Sequence, residues 1–65
     1  METTTKTLVQ AARRGYTLAA WARAHLAGAD LVAWADEQDR KAGDAKRRGD
    51  EQGVAQYLAA SSAAR

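Results

Sequence analysis

Apolar residues recur every three or four positions along most of this chain, and glycines interrupt the rhythm. Leu8, Ala11, Ala12 and Tyr16 fall on one helical face, which predicts a helix from about Thr5 to Arg14. Arg13 and Arg14 suit its last turn, where cations complement the macrodipole, and Gly15 suits the left-handed position just beyond. Thr17 reads as the N-cap of a second helix whose stripe Leu18, Trp21, Ala22, His25 and Leu26 is expected to be buried, closed by Gly28. Asp30 reads as the cap of a third, with Leu31, Trp34, Ala35 and Gln38 fading into Ala42 and Ala45. Gly49-Asp50 breaks the pattern again, and Asp50 and Glu51 open a last helix whose face is Val54, Tyr57, Leu58 and Ser61.

No stretch alternates with period two over β-branched residues, so the expected fold is all-α. The chain reads as a single small helical domain over residues 1–65, frayed at 1–4 and 62–65, built as a compact bundle of three to four short helices. Composition limits its core. Seventeen of the thirty apolar residues are alanine, which favours helix but buries little area, leaving thirteen larger side chains. A chain this short hides only about 60% of its unfolded surface, and such chains lean on disulfides, metals or oligomerisation. With no cysteine and one histidine, only oligomerisation or docking onto a partner remains. Trp21 is expected in the core, and Trp34 either in the core or at an interface.

The same inventory argues against an enzyme. Nucleophilic catalysis needs a nucleophile, a base and an orienting group within reach of one another. Here His25 lies on an apolar stripe, the serines are Ser61 and Ser62 near the end of the sequence, and no glycine-rich loop has phosphate-cradle spacing. No catalytic residue, metal ligand set, cofactor or small-molecule substrate is expected. No apolar run reaches the roughly 18 residues that would span a membrane, and no secretion signal opens the sequence, which makes a cytoplasmic location the expectation.

Charge is unevenly placed. Residues 1–28 carry four bases against Glu2, whereas residues 29–65 carry seven acids against six bases. Asp36 with Arg40, and Glu37 with Lys41, have the spacing of helix-supporting ion pairs.

The run Ala12-Arg13-Arg14-Gly15-Tyr16-Thr17-Leu18-Ala19-Ala20-Trp21-Ala22-Arg23-Ala24-His25 resembles the front half of the small phage helix-turn-helix regulators of the Ner-like group. The resemblance implies a helix ending in a basic pair and glycine, then a Thr-capped helix in which the small Ala22 lets a recognition helix cross. It implies a helix-turn-helix-like pair in the middle of the bundle and a DNA-binding role. On that reading Arg13, Arg14 and Arg23 hold phosphates, Thr17 joins the nucleic-acid-binding set, and Gln38 is the first base-reading side chain of the recognition helix. The pattern departs from the family at Leu26, which stands where a glycine usually makes the turn.

The chemistry of the would-be recognition helix favours a different partner. Asp30-Leu31-Val32-Ala33-Trp34-Ala35-Asp36-Glu37 presents acids and apolar groups where a base-reading helix needs Arg, Lys, Asn or Gln beside phosphates. The first expectation is therefore a non-catalytic regulatory or inhibitory protein, phage-encoded on the resemblance, that binds another protein through a helical surface. That surface would be formed by Trp34, Asp36, Glu37 and the basic cluster Lys46, Arg47 and Arg48, with a second copy of the chain as one candidate partner. DNA binding is the alternative, and a structural subunit of a larger assembly a third.

Overall fold

The computed structural model describes residues 4–65 as three helices: α1 (Thr5–His25), α2 (Ala29–Arg47) and α3 (Glu51–Ala64). The expected all-α bundle is present, with three helices and no strand among the described residues. Residues 1–3, part of the segment expected to fray, lie outside the described region. At the other end, α3 continues to the buried Ala64 through the second segment expected to fray.

The two helices anticipated before Gly28 are one. Gly15 sits inside α1 and does not end it, and Thr17 caps nothing; its hydroxyl donates to the Arg13 carbonyl one turn back at 3.0 Å. The physical reason is tertiary. A mid-helix glycine costs only about 1 kcal/mol relative to alanine, and Gly15 is where α1 meets α3 most closely. A Cβ built there would lie 2.1 Å from the Gln56 carbonyl oxygen and 3.0 Å from both Ala59 Cβ and Ala60 N. Thr4 caps this long helix instead, accepting from Thr7 N–H at 3.2 Å.

The other boundaries follow local chemistry. Gly28 precedes α2 with φ 59°, a backbone conformation that side-chain-bearing residues rarely adopt, and Asp30 lies in the first turn beside the positive end of the helix, without capping it. Asp50 caps α3 as expected, accepting from Gly53 N–H at 2.9 Å.

α3 lies between α1 and α2, parallel to the first and antiparallel to the second. α1 and α2 hardly touch each other. Arg14 reaches Gln56 and Arg23 reaches the Ala63 carbonyl on one side; on the other, Lys41 sits over the Tyr57 ring and Arg65 bridges to Asp36 and Asp39. The result is a slab with Cα extents of 39 × 21 × 12 Å.

Gln38 apart, the seams of this slab are made of small residues. α1 buries Ala11, Gly15, Ala19 and Ala22; α2 buries Ala35, Gln38, Ala42 and Ala45; α3 buries Ala59, Ala60, Ser61 and Ala64. Helices so faced approach closely, but each methyl contributes only about 0.8 kcal/mol. Among the described residues no large side chain is fully buried. Leu31, Trp34 and Ala63 pack partly buried against Ala19, Ala35 and Ala64, while Val9, Tyr16, Leu18, Trp21, Val32 and Leu58 are 40–56% exposed. The accessible surface, 4478 Å², exceeds the roughly 4,000 Å² expected of a compact 7.0 kDa monomer.

Candidate binding surface

Trp21 is not a core residue. It lies off the buried Ala11–Gly15–Ala19–Ala22 line, 52% exposed, because α3 comes too near that line to admit anything larger than a methyl group. It belongs to a different stripe. Arg14, Leu18, Trp21 and His25 follow at intervals of four, three and four residues, all exposed on one side of α1. The Trp21 and His25 rings stack with centroids 5.0 Å apart and planes 22° from parallel, and His25 Nδ1 lies 2.8 Å from the Trp21 carbonyl oxygen. The indole is thus held in place by its neighbour while its outer face stays open. At the other end, Arg14 Nε donates to Gln56 Oε1 at 3.2 Å, which fixes the guanidinium beside Leu18. Arg13, Arg14, Thr17, Leu18 and Gln56 line a shallow cleft of about 370 Å³ there.

Sequence reasoning assigned Leu18 and Trp21 to the core because they are large and helically spaced. The overlooked signal was the competing stripe of Ala11, Gly15, Ala19 and Ala22, a run of small residues at the same spacing one quarter-turn away.

The protein-binding residues expected from sequence are not gathered in one patch. Trp34 is half-buried against the alanine cluster. Asp36 receives Arg65 at 3.1 Å, and Glu37 is paired with Arg40. The expected Asp36–Arg40 and Glu37–Lys41 pairs give way to Arg40 bridging Glu37 and Asp44. Lys46, Arg47 and Arg48 stand at the far end of α2, about 18 Å from Trp34 at 1.5 Å per residue. Arg47 is paired with Asp44, while Lys46 and Arg48 are exposed without an ion pair among the described residues. Of the residues expected to meet DNA, Arg13, Arg14 and Thr17 come together at the α1 cleft. Arg23 is turned to the Ala63 carbonyl at 3.4 Å. Gln38 is only 5% exposed on the packed face of α2, so it has no free edge for a base.

The surface pairs depress several carboxyls. Glu37 is held below its ordinary range first by the hydrogen bond from Arg40, Asp39 by the Ser61 hydroxyl and then Arg65, and Asp44 by Arg47. A carboxyl with a lowered folded-state pKa stabilises the fold above its unfolded pKa, and that contribution disappears as pH falls through the folded value. The melting temperature should therefore hold steady from neutrality to about pH 5 and decline below about pH 4. Salt should shrink the decline, because these groups are exposed and screened. Circular dichroism melts across that range measure it; an unchanged midpoint at the acid end would show that the pairs contribute nothing.

Among the described residues no group of acidic or histidine side chains has the arrangement of a metal site, and no helix is long and apolar enough to cross a membrane. Comparison with protein-family models, curated proteins and solved structures finds no match to this chain.

Proposed function

We propose that this chain is a non-catalytic regulatory protein that docks onto another protein through the exposed Arg14–Leu18–Trp21–His25 stripe of α1. The observation that carries the reading is Trp21, 52% exposed yet held by its stack on His25. Tryptophan dominates binding energy where its ring enters a partner's pocket, and a ring already ordered loses little freedom on binding. The stripe fits an apolar groove with acidic groups at the Arg14 end. The acidic half of α2 remains a secondary contact, with its carboxylates already engaged by Arg40 and Arg65.

The test is capture of a partner by the immobilised chain, compared with Trp21→Ala. A protein held by the wild type and lost from the variant, at unchanged helix content, supports the reading. Equal retention by both sinks it.

DNA binding is the second reading, favoured by the meeting of Arg13, Arg14 and Thr17 at one cleft. Against it stand the continuity of α1 through Gly15 and the burial of Gln38. Anisotropy of a labelled duplex separates the two. Binding that collapses as salt rises, and is abolished by Arg13→Ala with Arg14→Ala, would replace the protein-directed reading.

A further inference from the structure

The α1 stripe leaves another part of the slab unexplained. α1 and α2 cover the two flanks of α3, and between them its outer side stays open. An apolar trough of about 660 Å³ lies along its N-terminal half, lined by Leu8, Val54, Ala55 and Leu58 together with Lys46, Asp50 and Glu51. Leu58, the last α3 residue of its lining, is 51% exposed. The trough lies away from the proposed docking stripe, since Leu8 and Trp21 are thirteen positions apart, about 140° around α1 at 3.6 residues per turn.

The outward line of α3 reads Glu51, Ala55, Leu58, Ser62, Arg65, at intervals of four, three, four and three residues. This is the spacing of a helix seam that packs on another helix. The line is also complementary to its own reverse. Turned end for end about Leu58, it sets Leu58 against Leu58, Ala55 against Ser62, and Glu51 against Arg65. Large meets large only at the centre, small residues flank it, and at each end Glu51 approaches the Arg65 that bridges Asp36 and Asp39 of the other copy.

The flank of α2 obeys the same inversion. Its far end carries Lys46 and Arg48, in no ion pair among the described residues, and its near half carries Asp36 and Asp39. A second copy laid antiparallel brings the basic end of each α2 over the acidic half of the other. A parallel copy instead sets Glu51 on Glu51 and Lys46 on Lys46.

We infer that this face binds a second copy of the chain, as a two-fold dimer in which the two α3 helices cross antiparallel at Leu58. Self-complementarity of this kind is what a two-fold interface requires, since each contact is made twice. The broad side of the slab measures 39 × 21 Å between Cα extremes, so the flanks of α1 and α2 must join the α3 seam for each copy to bury the roughly 800 Å² of a stable interface. The dimer gives Leu58, Val54 and Leu8 the burial that one chain does not provide. It also supplies the oligomeric support a cysteine-free chain of this length calls for.

Sedimentation velocity of the full chain over a wide concentration range tests the inference. The wild type should sediment as a dimer at tens of micromolar. Leu58→Asp, at an exposed position that the single chain tolerates, should weaken association by about a hundredfold or more while keeping the helical spectrum. Because the chain has no cysteine, Leu58→Cys provides a second readout. It should close a symmetric disulfide under mild oxidation far faster than Ala24→Cys, which lies away from the trough. Lys46→Asp should weaken the dimer, and adding Asp36→Lys should restore it. A wild type that remains monomeric at high concentration, a dimer indifferent to Leu58→Asp, or equal cross-linking of the two cysteine variants would overturn the inference. Trp21→Ala should leave the dimer intact, so loss of the proposed partner and loss of self-association are separate results.

Discussion

Gly15→Ala should lower the melting temperature by roughly 5–15 °C, although alanine is the better helix former. The added methyl would stand 2.1 Å from the Gln56 carbonyl oxygen and 3.0 Å from Ala59 Cβ and Ala60 N. A side chain in that position could rotate away, but a backbone oxygen held in a helix cannot. α3 would have to move as a body, loosening Ala59 and Ala60 from α1 and disturbing the Arg14–Gln56 hydrogen bond. Overpacking of this kind costs about 1–3 kcal/mol, occasionally more. Against it stands the gain of about 1 kcal/mol from replacing a helical glycine. The upper part of that range leaves a net loss near 1–2 kcal/mol, which translates into the stated shift at about 4–8 °C per kcal/mol for a domain of this size. Gly43→Ala is the matched control. Gly43 is also inside a helix, but a Cβ there meets nothing within 4 Å, so only the propensity gain remains, and the midpoint should rise by several degrees. Circular dichroism melts of the two variants read both signs. Equal stabilisation by both substitutions would mean that α1 and α3 do not approach each other at Gly15 as described.

The same position explains what the sequence conceals. Where a boundary is fixed by the local backbone it is legible. Gly28 and Gly49 adopt positive φ, at 59° and 74°, and both fall where the pattern breaks. The Asp50 cap depends only on residues three apart, so it too can be read directly. Gly15 and Thr17 carry the same local signals, yet neither ends or starts a helix. A glycine that terminates a helix and one that admits a neighbouring helix look alike until the neighbour is placed, and α3 lies some forty residues further along. The core is concealed for a related reason. Alanine favours helix whether buried or exposed, so seventeen alanines do not announce which of them form the seams. Reading burial from size put Leu18 and Trp21 inside, whereas the seam admits only small residues and pushes both to the surface. Trp34 is the tryptophan that the sequence leaves open for an interface, and Trp21 is the more exposed of the two.

Trp34→Ala and Trp21→Ala should therefore have very unequal effects on stability, although each tryptophan stands in an Ala-Trp-Ala triplet with nothing local to tell them apart. Trp34 is partly buried against Ala19, Ala35 and Ala64, where all three helices meet. Those methyl groups have no other large neighbour except Leu31 among the side chains gathered there, so truncation opens the cluster to water. A fully buried aromatic costs about 3–5 kcal/mol when cut to alanine; a half-buried one at this junction should cost about 2 kcal/mol, or roughly 8–16 °C. Trp21 touches mainly the ring of His25 on its own helix, and its loss should change stability by no more than about 0.5 kcal/mol. Fluorescence supplies an independent check. With Trp21 removed, the remaining emission should be blue-shifted and poorly quenched by acrylamide; with Trp34 removed, it should be red-shifted and readily quenched. If Trp21→Ala melted as low as Trp34→Ala, the stripe on α1 would be structural and the proposed docking surface would be lost with it. If only Trp34→Ala unfolds the chain, Trp21 is a large, ordered side chain that the fold does not need, which is the condition for a binding anchor.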